Sequence, residues 1–269
     1  MSGNPSTKDT TVLCVLTGAS RGFGRSLAVA LSQTFKSDSV FILLARSMND
    51  LEAAKEEMLQ MSNLSPDHIL PFYLDQGQFS ADIATKLFQD IRAQLSKLRQ
   101  QFHKYLLIHN SGTLGDITKK SSQFGDFDEI SAHFNVNVSG MIALNTKCLE
   151  LFDDNSKCII VNISSLAAIQ PVNSFSLYCA NKAARNMYFK VLAGEEKDLR
   201  ILNYAPGPLD TDMQKNVREN AVDDTIRQQF TEMFNSSKLV SCEDSAEKLI
   251  DLLEKDTYTN GDHIDYYDD

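Results

Sequence analysis

Tyr178 and Lys182 stand four residues apart, and Ser165 lies just upstream of them. A phenol is a poor proton donor near neutral pH, its reference pKa being about 10. An ammonium one helical turn away on the same face favours the phenolate and draws that value toward the working range. The Ser165 hydroxyl suits a hydrogen bond to a substrate carbonyl, which is polarisation and positioning and not nucleophilic attack. Ser164 is the less favoured neighbour, and either serine could simply cap a strand end. Asn137 is read as holding a water that relays protons toward Lys182; otherwise it is an ordinary weak helix former. A Y-x-x-x-K pair is common by chance. Its weight comes from context, because it is the only such pair among eight tyrosines and it opens a helix behind an apolar strand.

A carbonyl held beside an acid needs a hydride, and the N-terminal region has the pattern for its carrier. Gly18, Gly22 and Gly24 have the spacing G-x-x-x-G-x-G, with Ala19, Ser20, Arg21 and Phe23 between them. Small residues between a strand and a helix let the backbone approach a pyrophosphate, whose charge the helix N–H groups favour. The second strand ends at Arg46 and Ser47, with no acid before Asp50. An acid there would hold a ribose 2′-hydroxyl, whereas Arg46 pairs with a 2′-phosphate, so the expected cofactor is NADP(H). Arg21 offers a second cation. Asp75 could accept from the adenine amino group, and Asn110-Ser111-Gly112 could let the chain approach the cofactor; both also read as plain turn chemistry.

The elements that must position these residues alternate. Apolar runs at 12–16, 40–45, 69–74, 105–108, 158–163 and 200–204 read as buried strands, and 26–35, 51–61, 81–101, 127–151 and 176–192 as helices. The expectation is an α/β fold, a single Rossmann-type doubly wound parallel sheet with helices on both faces. Residues 1–10 read as a flexible tail and 11–269 as one domain. A polar, broadly helical insertion at about 209–240 is either a lid or a solvated excursion. A net charge of −10 excludes a broad phosphate-binding surface for nucleic acid. Five scattered cysteines read as reduced thiols, Cys179 as a redox switch or a small helix residue. The five histidines show no metal spacing. With no signal-peptide pattern and no apolar run near ~18 residues, a soluble cytoplasmic protein is expected.

Together these residues resemble the short-chain dehydrogenase/reductase family, marked by a T-G-x-x-x-G-x-G turn, an N-x-G turn and a Ser, Tyr, Lys group. The likeness covers essentially the whole chain. The runs at 16–25, 162–166, 177–180, 203–214 and 263–268 narrow it to the branch that reduces pterin side-chain ketones in the last steps of tetrahydrobiopterin synthesis. That resemblance implies an NADPH-dependent homodimer with Ser165, Tyr178 and Lys182 catalytic. It implies a cofactor lining of residues 18–24, Arg46, Ser47, Asp75, Gln76, Lys182, Leu209, Asp210, Thr211, Asp212, Met213 and Gln214. Ser165, Leu166, Tyr178, Gly207 and Asp265 are implied at the substrate, where a carboxylate accepts two parallel hydrogen bonds from the 2-amino-pyrimidinone edge. One departure is His109-Asn110-Ser111-Gly112, where the family usually has Asn-Asn-Ala-Gly. The rival readings are a carbonyl reductase of broader range and a non-catalytic NADP-sensing protein.

Overall fold

Side chains alternate across a strand, so a fully apolar run needs cover on both faces. In β1 (Val12–Thr17), Val12, Cys14 and Leu16 enter one hydrophobic cluster while Leu13 and Val15 enter another. β2 (Val40–Ala45) divides the same way, Phe41 and Leu43 against Val40, Ile42 and Leu44. Each such buried aliphatic side chain contributes about 1.5–3 kcal/mol relative to exposure. In the computed structural model, which describes residues 10–268, these strands join β3 (Ile69–Tyr73), β4 (Lys104–His109), β5 (Cys158–Ile163), β6 (Arg200–Ala205) and β7 (His263–Asp265). All pair in parallel, in the order β3-β2-β1-β4-β5-β6-β7. The chain leaves β1 toward β2 on one side and later resumes at β4 on the other, which opens a crevice at the carboxyl ends.

Helices α1 (Gly22–Thr34), α2 (Met48–Met61) and α3 (Ala81–Leu98) follow the first three strands. Ser47 and Ser80 cap α2 and α3 by accepting the Asp50 and Ile83 N–H groups. The expected helix at 127–151 is interrupted. α4 (Phe127–Phe134) passes through a π-helical turn (Asn135–Ser139) into α5 (Gly140–Leu149). A Cβ on Gly140 would stand 2.0 Å from the Gln76 carbonyl oxygen, so this turn packs directly on the end of β3. α6 (Ser176–Glu195) crosses from β5 to β6.

The insertion forms α7 (Asp212–Asn220) and α8 (Asp224–Asn235), closed at its base by a bridge between Leu209 and Val240. α9 (Cys242–Lys255), capped by Ser241, returns to pack beside α1. Neither α9 nor the three-residue β7 is anticipated from the sequence. The expected tail lies outside the described residues except Thr10, which is buried, its carbonyl accepting the Lys36 N–H at 3.2 Å. Among the described residues no helix is long and apolar enough to cross a membrane.

Candidate active site

Each strand delivers its candidate residue to the same edge. Gly18 follows β1, Arg46 follows β2, Asp75 lies beyond β3, Asn110 follows β4, Ser165 follows β5, Gly207 follows β6, and Asp265 ends β7. All seven line one open cavity of about 1340 Å³. That is roomier than the ~300–1,000 Å³ of ordinary small-ligand sites, as two ligands side by side require.

The first wall is backbone. Gly18 and Gly22 have φ of 66° and 52°, a region that favours glycine. A Cβ on Gly24 would sit 2.1 Å from the Gly18 carbonyl oxygen, so helix and turn touch without room for a methyl. Asn110 fastens this turn, its Nδ2 donating to the Thr17 and Gly18 carbonyls at 3.1 Å each. Thr17 Oγ1 in turn accepts the N–H groups of Asn110 and Ser111. Helix α1 begins at Gly22, and among the described residues no side chain caps it, which leaves its first N–H groups for an anion. Ser20, Arg21, Gly22, Phe23 and Gly24 line the cavity, whereas Ala19 is wholly buried in the core.

Around that wall, Arg46 is exposed at the end of β2 and, among the described residues, stands in no ion pair. Ser47 lines the cavity and caps α2 at once. Asp75 accepts the Gly77 N–H at 3.0 Å, so turn chemistry and a place in the cavity coexist there. Arg21 meets Asp212 of α7 at 3.4 Å, an exposed pair across the cavity mouth. Such a pair contributes at most about 1 kcal/mol. Leu209, Thr211, Asp212, Met213 and Gln214 line the same side, and Asp210 does not. Among the described residues, Gln76 Oε1 and Gln214 Oε1 are buried without a partner on this lining, acceptors that a polar ligand can satisfy.

The opposite wall is made of side chains. Tyr178 hydrogen-bonds Ser165, whose Oγ also accepts the Ala167 N–H. Ser164 instead donates to Asn186 Oδ1 at 2.6 Å, which leaves Ser165 as the serine beside the phenol. Lys182 Nζ donates to the Ile163 carbonyl at 2.6 Å and lies 5.5 Å from the Tyr178 ring centre. The expected downward pull of Lys182 on Tyr178 is corrected here. Burial pushes the phenol up to about 12, opposed by the Ser165 hydrogen bond and then the Arg185 charge. Burial, followed by Arg185, pushes Lys182 well below its ordinary value. Desolvation penalises the charged form of both groups, and it is the largest cause of each shift.

Asn137 stands apart from this lining. It is buried off the cavity, its Oδ1 accepting the Thr113 N–H at 2.9 Å while Nδ2 donates to the Thr113 and His133 carbonyls. Both ends of the amide are engaged, so its side chain holds the segment after β4. Three further residues escape the sequence reading. His133 Nε2 bonds the Thr113 carbonyl at 3.1 Å, and Asn181 Nδ2 bonds His133 Nδ1 at 2.9 Å. Arg185 donates to Asn162 Oδ1, the Ser111 carbonyl and the His109 carbonyl. The available signal was helical spacing: Tyr178, Asn181, Lys182 and Arg185 form one stripe, and all four are buried.

The insertion covers this wall. Val217 is buried, and Phe230 packs edge-on against Phe175, which packs edge-on against Tyr178. Asp223 ties the cover down, accepting from Asn173 Nδ2 and donating its N–H to Ser174 Oγ. Leu166 and Gly207 reach the cavity, and Asp265 is half-buried on it, one carboxylate oxygen accepting the Tyr267 N–H at 3.2 Å. Cys179 is half-buried with its thiol pushed up by burial, as a packing residue would be.

Comparison with known proteins agrees with this layout. A family profile described as short chain dehydrogenase matches residues 12–222. Sepiapterin reductase of Rattus norvegicus is 41% identical over 264 residues, covering 95% of this chain and 96% of that one. Sepiapterin reductase of Xenopus tropicalis is 40% identical over 261 residues, covering 96% and 97%. Among solved structures, the KRED1-Pglu enzyme has the same fold, with a TM-score of 0.78 at 23% identity over 95% of this chain and all of that one.

Proposed function

The chain belongs to the short chain dehydrogenase family, and on that premise we propose an NADPH-dependent reductase of pterin side-chain ketones. One observation supports the reading above the others. The glycine turn, the Ser165–Tyr178 pair, Lys182 and the Asp265 carboxylate all face a single cavity.

The cradle fits a dinucleotide, because a methyl on Gly24 would fill it and the α1 N–H groups open onto it. Bound there, reduced nicotinamide supplies a hydride to the carbonyl carbon. Arg46 pairs with the 2′-phosphate and selects NADP(H) over NAD(H). Lys182 holds the nicotinamide ribose. Asp265 accepts the pyrimidinone edge of the pterin through its carboxylate and so aims the side-chain ketone at the reacting position. Ser165 holds the carbonyl oxygen by hydrogen bond. Tyr178 gives that oxygen a proton as the carbon–oxygen double bond becomes single. A phenol raised by burial stays protonated at working pH, and a developing alkoxide is the stronger base, so the transfer runs downhill. The cover formed by α7 and α8 keeps water from this wall. A homodimer belongs to the reading, with Met187 and Val191 exposed one turn apart on α6.

The test follows NADPH absorbance with purified protein, offering sepiapterin and, separately, a simple diketone. Sepiapterin is expected to be turned over, and Asp265→Ala is expected to impair it strongly while sparing the diketone. Equal loss on both substrates would remove Asp265 as the pterin anchor. Absence of sepiapterin turnover in the parent protein would remove the substrate assignment itself.

A further inference from the structure

Arg185 is fully buried, and its guanidinium meets only neutral acceptors. Nε donates to Asn162 Oδ1 at 2.8 Å, Nη1 to the Ser111 carbonyl at 2.9 Å, and Nη2 to the His109 carbonyl at 2.6 Å. Among the described residues it takes part in no ion pair. A buried charge is ordinarily paired with its opposite, because desolvating it alone is expensive. Guanidinium is the cation that best tolerates this treatment, being weakly hydrated and not deprotonated in proteins. An uncancelled charge in a low-dielectric interior projects its field farther than one at the surface.

We infer that Arg185 is a positioning residue of the reaction: a second fixed cation that favours the tyrosinate form of Tyr178 from beneath the site while its three donors hold β4, β5 and α6 in register. The inference rests on Tyr178 being the proton donor. Its helix places it three residues beyond Lys182 and seven beyond Tyr178, on the buried stripe they share. Unlike Lys182, whose Nζ is directed at the Ile163 carbonyl at the β5 end, Arg185 lies outside the cavity lining. Its field is therefore present whatever ligand is bound.

The charges around it do not cancel it. On its own helix it faces Lys182 and Tyr178, and from β4 it faces His109. Tyr178 meets Ser165 and Cys179 besides. Asn181 leads to His133 of α4, on which Glu129 acts; Asn186 leads to His263 of β7, on which Asp265 and Asp268 act. Burial keeps all three histidines neutral near pH 7. Among the described residues, no carboxylate acts on Tyr178 or Arg185 themselves.

Removing a cation from the buried stripe that carries a phenol raises the pH at which the phenol ionises. The experiment compares the parent protein with Arg185→Met, Arg185→Lys and Asn162→Asp. Asn162→Asp adds the missing counter-ion at the Nε contact and leaves the arginine in place, so it serves if Arg185→Met does not fold. Two readouts are taken with NADP+ bound: the pH profile of alcohol oxidation, and tyrosinate absorbance as a difference from the Tyr178→Phe form of each background. Arg185→Met and Asn162→Asp should both move the tyrosine limb to higher pH, by at most about one unit, because two helical turns separate the charge from the phenol and only a charge in direct contact exerts more. Arg185→Lys should leave it near its original place even if stability falls. Coincident limbs in the parent, Arg185→Met and Asn162→Asp would overturn the inference and reduce Arg185 to a structural brace. The absorbance titration needs no turnover. A fully active Tyr178→Phe would instead overturn the underlying reading.

Discussion

The two walls of the cavity are built from different materials. The cofactor wall is backbone: a left-handed glycine, a helix start without a side-chain cap, and a contact between Gly24 and Gly18 too close for a methyl. The reaction wall consists of large side chains withdrawn from water, Tyr178 and Lys182 at the cavity with Asn181 and Arg185 buried behind them on the same helix. A wall of main chain presents fixed dipoles and tolerates almost no change in shape. A wall of buried ionisable groups tolerates some change of shape, but its chemistry depends on every charge in range. Damage to the first should therefore appear in binding and folding, and damage to the second in rate and pH dependence.

The largest effect expected from that contrast is at Tyr178. Tyr178→Phe removes the hydroxyl proposed as the proton donor and leaves the ring that packs against Phe175. It should lower kcat about a hundredfold to ten-thousandfold, the usual worth of a general acid, while NADPH binds as before. Near-normal turnover would show that the side-chain wall does not carry the proton.

Next comes a pH effect on the reaction side. His109 is buried under the site against Phe189, and burial, then the Arg185 charge, depresses it to about 3. Unfolded, it would titrate near the ordinary imidazole value of 6.5. The stability of the neutral, buried form is fully present above pH 6.5 and is lost as pH falls from there toward 3. By about pH 4.5 the loss amounts to about 2–3 kcal/mol. His109→Asn can still bond Asn145 but does not titrate, so its Tm should fall less steeply on acidification. Parallel Tm curves for the two proteins would mean that acid enters elsewhere.

On the cofactor side, Gly24→Ala forces a methyl to within 2.1 Å of the Gly18 oxygen unless the turn shifts. Overpacking of this kind costs about 1–3 kcal/mol. The expected signature is a lower Tm and weaker NADPH binding by calorimetry, with the pH profile of the residual activity unmoved. A displaced profile would blur the distinction between the walls.

The same contrast explains what the sequence disclosed. Six apolar runs and the glycine spacing are local signals, so the sheet, its doubly wound class and the cofactor wall can be read from consecutive residues. β7 is only three residues long in an acidic terminus, and it becomes a strand by pairing Asn203, Tyr204 and Ala205 with His263, Ile264 and Asp265. The π turn at Asn135–Ser139 depends on the close approach of Gly140 to Gln76, a contact distant in sequence. Asn137 and Arg185 look like ordinary helix residues until their partners on Thr113, Asn162, Ser111 and His109 are in view. Burial was likewise invisible, and it reverses the expected direction of the Tyr178 shift.

The smallest effect expected is at Arg46, and it tests whether the cofactor wall reads chemistry as well as shape. Arg46 is the first candidate there whose side chain, and not its backbone, would choose between the two nucleotides. Being exposed, it should act through charge-assisted hydrogen bonds weakened by screening, so Arg46→Ala is expected to lose about 1.4 kcal/mol, or tenfold, in NADPH affinity. NADH has no 2′-phosphate, and its affinity should be unchanged. The loss should shrink as salt is raised, whereas the Gly24→Ala defect, being steric, should not. Equal losses for both cofactors would mean that Arg46 supports the shape of the β2 turn and that selection lies with another cation at the rim. Arg21 would be the next to test, because its pairing with Asp212 leaves it within reach of the same mouth.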